Sequence, residues 1–556
     1  MAGCRRAGGE VGVSAGRRTG YGWPTDCSRG EREPRGLPHP GRRHGLARIA
    51  VGRVRAGNRG AEISVVVNSV LEGFAQAVAE HPRRPAVFWG EETIRYRELA
   101  ERINVAGAHL QQHAGIQPGD RVGILLKNCP EFIYVLYAIL KSGGVAVPIN
   151  HFLKAPEIQH IVSDCGLACL VTSPDFDETV ASVTVPKLVR VGDLCGASPE
   201  LPRWVQPRAA DLAVIIYTSG TTGKSKGAML THGNFAANVA SCITALEETP
   251  RDRMTLLLPM FHSFMLTVCI FTPLSMGAAI VLIKSVQPFK LALKEMIRRR
   301  ATVFVGIPQI FQALAQAPIP FYVDWLLHIR VAVSGAAPLP HETLEAFARK
   351  FRFPLLEGYG LSEASPVVSF NPIRGVRKAG SVGLALPGVE VSIVDDNDQE
   401  LPVGQVGEIV VRGPNVMQGY YNQPAETAAA LRHGRLHTGD MGKKDRDGYL
   451  YIVDRRKEMF LVRGMNVYPR EIEEVIYRLP NVREAAVVAR PDEKRGEAAV
   501  AFVVPVAGQT LTPDAVLQHC RQNLADYKLP RDVRIVAELP HTATGKIAKL
   551  ELKKLL

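Results

Sequence analysis

Apolar residues along this chain follow two alternating rhythms. Ser69 to Ala79 and Pro130 to Lys141 carry them at helical spacing, whereas Arg121 to Leu126 (RVGILL) and Gly144 to Pro148 (GVAVP) are short, nearly continuous apolar runs. Strand, helix and strand joined by short Gly/Pro connections predict a parallel sheet with crossover helices, and the same alternation recurs over 161–172 and 301–334. After about Gly380 the text changes: Val389 to Val394 and Glu408 to Arg412 are short β-rich runs set between Asp-Asp, Pro-Gly and Asp-Gly turns, the pattern of an antiparallel subdomain. A charged stretch, Asp454-Arg-Arg-Lys-Glu458, interrupts the apolar pattern. Beyond it a helix at Pro469 to Leu479, strands at Ala485 to Ala489 and Ala498 to Val504, and a helix at Pro513 to Leu524 predict a small α+β domain. The fold class expected is α/β: a large N-terminal domain of parallel α/β subdomains with a β-rich subdomain, then a smaller C-terminal α+β domain.

Phe264 to Ile283 is uncharged for twenty residues, long enough on paper to cross a bilayer. Pro273 and Gly277 divide it into a helix of about a dozen residues and a strand, Ala278 to Ile283, so a buried helix–strand pair is expected and no transmembrane segment.

Composition changes this picture mainly at the N-terminus. At 556 residues, with 46% hydrophobic and 22% charged residues, the chain is an ordinary globular sequence of at least two domains. Its +13 formal charge invites a nucleic-acid reading, but residues 1–60 hold 13 Arg, no Lys and 4 acids, so +9 of it lies there and the remainder is near balance. That segment also has 14 Gly and no hydrophobic periodicity, which predicts a disordered extension over 1–64 and a folded protein from Val65. Tyr21 and Trp23 are nearly its only aromatic residues, a poor basis for stacking RNA. Nine cysteines are scattered, and Cys165 and Cys169 have the wrong spacing for a redox or zinc pair, which suits a reducing, cytoplasmic setting.

The candidate chemistry begins at Tyr217-Thr-Ser-Gly-Thr-Thr-Gly-Lys-Ser-Lys-Gly227, between the apolar run Leu212 to Ile216 and a helix starting near Thr231. Glycines permit tight turns with N–H groups turned outward, hydroxyls add donors, and Lys224 and Lys226 supply charge: a polyphosphate loop, with a flexible surface turn as the bland alternative. It is not a Walker loop, since Thr218 stands where the first glycine is needed. Gly358-Tyr-Gly-Leu-Ser-Glu363 offers a flat ring between glycines and a carboxylate, suited to a stacked base and to Mg2+, or equally to a plain glycine turn around a buried Tyr. Thr438-Gly-Asp440 places an acid where it could accept two ribose hydroxyls or merely cap a turn. Thr544-Gly-Lys546 sets a cation on a glycine turn, otherwise a solvated surface lysine.

Taken in order, these motifs with Asp454-Arg-x-Lys-Glu458 resemble the adenylate-forming superfamily, specifically its AMP-forming acyl-CoA synthetases, over roughly Val65 to Leu556. The resemblance implies two half-reactions: a carboxylate attacks the α-phosphorus of MgATP, giving an acyl-adenylate and pyrophosphate, and the thiol of coenzyme A then displaces AMP. It implies that Thr218, Ser219, Gly220, Thr221, Thr222, Gly223 and Lys226 hold the β- and γ-phosphates, with Thr218 and Glu363 serving Mg2+. Gly358, Tyr359, Gly360 and Ser362 would bind ATP with Tyr359 stacking the adenine, Asp440 would bind the ribose, and Arg455 would assist at ribose or phosphate. Lys546 would bridge carboxylate and α-phosphate, and His262 would lie near the reacting carboxylate. Lys457 would be the hinge, within 454–458, on which a mobile domain (459–556) turns against an N-terminal domain (65–453). Phe261 and Phe264, with Gly335, Ala336 and Ala337, would line the acyl pocket. Ser225 replaces a usual proline of the phosphate loop, and Leu461 and His541 also depart from the common pattern.

The aromatic segment 259–264 has no Asp to receive an ammonium, which argues against an amino acid as substrate. A medium- or long-chain fatty acid is expected, and an aryl acid resembling 4-coumarate is the runner-up. The partners expected are thus a small carboxylic acid, ATP and coenzyme A, with no nucleic acid; peripheral membrane contact and homodimer formation stay open. A reading from another class is a non-catalytic nucleotide- or RNA-binding protein using the basic tail.

Overall fold

The computed structural model describes residues 54–56, 61–63 and 68–556, apart from 196–201, 219–224, 286–287, 321, 463–464, 493–494 and 543–545. Within the stretch expected to be disordered, Val54–Ala56 and Ala61–Ile63 pair as short antiparallel strands; the rest of that expectation lies outside the described residues.

Among the described residues two large sheets carry the N-terminal domain. One runs in the order Gly419–Tyr420, Lys226–Thr231, Leu212–Thr218, Val145–Pro148, Arg121–Leu125, Cys169–Thr172, Leu188–Arg190. The other runs Leu384–Ala385, Val367–Phe370, Leu355–Gly360, Val331–Ser334, Val303–Gly306, Arg253–Leu256, Ala279–Leu282, Pro85–Trp89, Glu92–Arg95. The centre of each is parallel, as the buried runs predict, because helices such as Pro130–Lys141 and Phe289–Arg298 cover both faces. One edge of the first sheet and both edges of the second are antiparallel, which the sequence pattern did not indicate, whereas Leu188–Arg190 closes the first sheet's other edge in parallel.

The apolar stretch after Phe264 is a helix–strand pair, with a twist. Met265–Phe271 is a π-helix, wholly buried, that passes into the short α-helix Thr272–Met276 before the strand Ala279–Leu282. The Thr272 hydroxyl donates to the Thr267 carbonyl at 2.7 Å, and the Thr267 hydroxyl to the Ser365 carbonyl at 2.6 Å. The widened turn thereby satisfies its polar groups inside an apolar wall, and π-turns of this kind concentrate at functional sites. No helix among the described residues is long and apolar enough to cross a membrane.

The antiparallel part is built from Glu390–Val394, Gly407–Arg412 and Arg435–Lys444 with Leu450–Arg455 beside it. The smaller C-terminal domain holds the long hairpin Val482–Asp492 and Gly496–Pro505, with Asp532–Ile535 added in parallel and the helices Pro469–Tyr477 and Pro513–Asn523 covering it. Its own core includes Phe460, Ile472, Ile476, Val487 and Val503.

Candidate active site

In the second sheet, the parallel strands all point their C-terminal ends to one edge. Leu256 leads to Phe261 and His262, Gly306 ends one strand, Ser334 leads to Gly335, and Gly360 closes the strand that carries Glu357 and Tyr359. This is the edge at which open α/β sheets bind ligands.

The loop expected to hold phosphates closes a β-hairpin, with Thr218 opposite Lys226 and Tyr217 opposite Gly227, and not a strand-to-helix turn. The Thr218 hydroxyl meets the Lys226 carbonyl at 3.5 Å. Ser219, Gly220, Thr221, Thr222 and Gly223 lie outside the described residues. The helix follows the second hairpin strand: Thr231 and Asn234 cap it reciprocally, the Asn234 N–H donating to the Thr231 hydroxyl at 3.0 Å and the Thr231 N–H to the Asn234 side chain at 2.9 Å.

Lys226 is buried, ion-paired with Glu426 and 5.4 Å from the centre of the Tyr420 ring. Tyr420 in turn donates its hydroxyl to Glu363 at 2.9 Å. Neither Tyr420 nor Glu426 was singled out from sequence, although Gly419-Tyr420 pairs directly with the hairpin strand. Ser362 and Ser263 hydroxyls lie 3.1 Å apart, tying the Gly-Tyr-Gly segment to the aromatic-histidine segment.

Tyr359, Asp440 and Arg455 come together. The Tyr359 hydroxyl donates to Asp440 at 2.6 Å, and Arg455 pairs with the other Asp440 oxygen at 3.2 Å across adjacent strands in which the two residues are register partners. Burial first, and then the Asp440 charge, push the Tyr359 phenol well above its usual range, so it stays a donor. A Cβ on Gly360 would stand 2.1 Å from the Pro366 carbonyl oxygen. Gly360→Ala is expected to cost about 1–3 kcal/mol of stability and to raise the KM for ATP, read by thermal midpoint and by steady-state kinetics; an unchanged midpoint would contradict the contact.

Among the residues expected to line the acyl pocket, the Phe264 ring lies against Gly335, close enough that a Cβ there would be 2.9 Å from Phe264 Cζ. Ala336 adopts a left-handed backbone (φ 69°), and Ala337 is half-buried beside it. The wall is pinned by Glu357, a buried residue missed by sequence reading: its carboxylate accepts from the Leu339 N–H at 3.0 Å, and burial pushes its pKa up to about 7.

The His262 ring lies tilted against Phe261, ring centres 4.3 Å apart at 46°, and its buried Nε2 has no hydrogen-bond partner among the described residues. Burial first, then Lys546 and His151, lower its pKa to about 3. Between that value and the ordinary 6.5 the unfolded chain binds the extra proton, so this group removes stability as pH falls through that window. The expected outcome is that His262→Asn flattens the acid limb of the stability profile between about pH 6.5 and 3 and that no His262 ionisation appears in the pH–rate curve above about pH 5.

Lys546 is exposed as a residue; loss of water first and the Arg455 charge second lower its pKa, opposed by the charges of Asp440, Glu363 and Glu458. Its backbone N–H donates to the Thr542 hydroxyl at 3.2 Å. The proposed hinge stretch is a turn, with the Glu458 N–H donating to the Arg455 carbonyl at 2.9 Å. Asp454 is buried there, accepting from the Arg455 and Arg470 N–H groups at 2.7 and 2.8 Å, and burial pushes its carboxyl up to about 6. Lys457 is exposed on the turn; partial desolvation and the Lys226 charge lower its pKa.

A family model described as AMP-binding enzyme matches residues 74–421, and one described as AMP-binding enzyme C-terminal domain matches residues 471–546. The chain belongs to the AMP-binding enzymes. A feruloyl-CoA synthase of an Amycolatopsis species is 36% identical over 479 residues, covering 85% of this chain and 96% of its own length. A long-chain-fatty-acid–CoA ligase of Yersinia pestis is 34% identical over 530 residues, covering 87% and 94%. ATP-bound MatB from Rhodopseudomonas palustris matches in structure with TM-score 0.81 and 33% identity over 88% of this chain and 99% of that one. Within the adenylate-forming superfamily this AMP-binding enzyme is therefore an AMP-forming acid–CoA ligase that works with ATP, Mg2+ and coenzyme A, and the non-catalytic alternative is set aside.

Proposed function

We propose that this AMP-binding enzyme activates a medium- or long-chain fatty acid to the acyl-adenylate and passes the acyl group to coenzyme A. The observation that supports the acid's class is the wall around His262: Phe261, Phe264, Gly335 and the buried turn Met265–Phe271 carry no charge, and His262 itself is held neutral. An ammonium-bearing substrate would lose its water there without gaining an anion.

Residue roles follow from position. Thr218 and Lys226 flank the loop that grips the departing β- and γ-phosphates; for Lys226 to do so it must exchange Glu426 for phosphate. Tyr359 offers its face to adenine while Asp440, shared between Tyr359 and Arg455, turns toward the ribose. Lys546 carries positive charge to the point where carboxylate oxygen and α-phosphorus bond, lowering the repulsion between two anions as pyrophosphate leaves. Among the described residues no three His, Cys, Asp or Glu side chains cluster as a metal cage. Glu363 and Thr218 would contribute single oxygens to Mg2+ whose remaining ligands are phosphate and water, which fits that ion, and its chemistry is neutralisation of phosphate charge. For the second half-reaction the C-terminal domain (459–556) would turn about 454–458, with Lys457 as pivot against the N-terminal domain (65–453).

An aryl acid is the second reading, favoured by the flat Phe264 ring lying on Gly335, which narrows the slot, and by the similarity to a feruloyl-CoA synthase. The test is kcat/KM across saturated acids from hexanoate to palmitate beside 4-coumarate and ferulate, following AMP and thioester separately. Highest values for the fatty acids support the first reading, and highest values for the aryl acids overturn it in favour of the second. Gly335→Ala is expected to lower kcat/KM for the preferred acid by roughly tenfold or more while the KM for ATP holds, since Phe264 must move into the slot.

A further inference from the structure

The second sheet has another edge. Where Pro85–Trp89, Arg253–Leu256 and Ala279–Leu282 begin, opposite the strand ends that form the active site, a cavity of about 320 Å3 opens, lined by Arg84, Arg251, Arg253, Asp252 and Gly277 with flanking prolines.

Its charge balance is one-sided. Asp252, the single carboxylate in the lining, is already consumed: Arg330 reaches its two oxygens at 2.8 and 3.1 Å, and Thr249 and Thr302 hydroxyls donate to it at 3.0 and 2.7 Å. Glu248, buried nearby, adds no charge at neutral pH, because burial pushes its carboxyl up to about 8. Arg253 is fixed in place, donating to the Arg299 carbonyl at 2.6 Å and lying 5.3 Å from the Phe88 ring centre, with Arg299 on the same ring at 4.9 Å. The guanidinium groups of Arg84 and Arg251 take part in none of the hydrogen bonds or ion pairs found among the described residues. That leaves Arg84 and Arg251 at one hollow, positive charge with no free carboxylate to meet it, which a bound anion would supply.

We propose that this cavity is a second anion site, taking the phosphate group of a soluble small molecule. Guanidinium forks match several oxygens of one phosphate at once, and a hollow of this volume is at the lower end of small-ligand sites rather than a flat surface for a membrane. The nucleotide site lies at the opposite edge, so both can be filled together.

The test is the thermal midpoint against inorganic phosphate at constant ionic strength, with AMP saturating the nucleotide site. The parent protein is expected to gain roughly 2–4 °C at about 100 times the dissociation constant. Arg84→Gln/Arg251→Gln is expected to need about tenfold more phosphate or to lose the gain. Arg251→Glu, at an exposed residue, serves as the second variant should the double variant not accumulate. An equal rise in parent and variants overturns the site. Sedimentation with phosphatidylglycerol vesicles separates the sources: capture by vesicles without any response to inorganic phosphate overturns a soluble ligand in favour of a lipid headgroup.

Discussion

Lys546→Ala is expected to lower adenylate formation by roughly a hundred- to a thousandfold while thioester formation from supplied acyl-AMP falls by less than about threefold. The asymmetry follows from where the charge stands. The charges of Arg455, Asp440 and Glu363 act on the Lys546 ammonium, whose own charge lowers the pKa of His262. On the function proposed above, that is the position at which two anions, a carboxylate and a triphosphate, approach each other. Attack of a thiol on acyl-AMP brings no second anion to be neutralised there. Pyrophosphate exchange measures the first step and thioester release the second; equal loss in both would remove Lys546 from the chemistry and leave it a folding or docking residue.

Asp440→Ala is expected to reduce kcat/KM for ATP by roughly a hundredfold or more, with the KM for the acid little changed. One carboxylate here accepts from the half-buried Tyr359 hydroxyl at 2.6 Å and pairs with Arg455 at 3.2 Å. Truncation leaves a phenol without its acceptor and a guanidinium without its anion, at a cost of about 2–4 kcal/mol before any ribose contact is counted. Asp440→Asn keeps an acceptor for Tyr359 but loses the pairing charge, so a loss of about tenfold is expected. An unaltered KM for ATP in the alanine variant would place the ribose elsewhere.

These two residues also mark how far sequence reaches. Asp440 and Arg455 are register partners on neighbouring strands, and the turn glycines and β-rich runs around them already suggested an antiparallel element. The bond from Tyr359 to Asp440, 81 positions away, depends on how one sheet is set against another. Likewise Lys226 stood out as a phosphate ligand, but its partner Glu426 lies 200 positions on, on a short helix with no chemical motif of its own. Glu357 was hidden for a different reason. A glutamate beside a glycine-rich turn reads as exposed, and only the burial of its strand makes it the acceptor for Leu339.

The order of apolar rhythms alone determined the parallel α/β core, the β-rich segment and the small terminal domain, because periodicity reports which faces must leave water. The same text determined which chemical groups were present, and in an order that matched one family of enzymes. Tertiary structure decided the rest: that the loop between Thr218 and Lys226 closes an antiparallel hairpin, that Phe264 lies on Gly335, and that Tyr359 meets Asp440 and Arg455 from a different sheet. Sheet order and register set those contacts, and both depend on pairings between strands far apart in the chain, for which no local pattern of residues provides a signal.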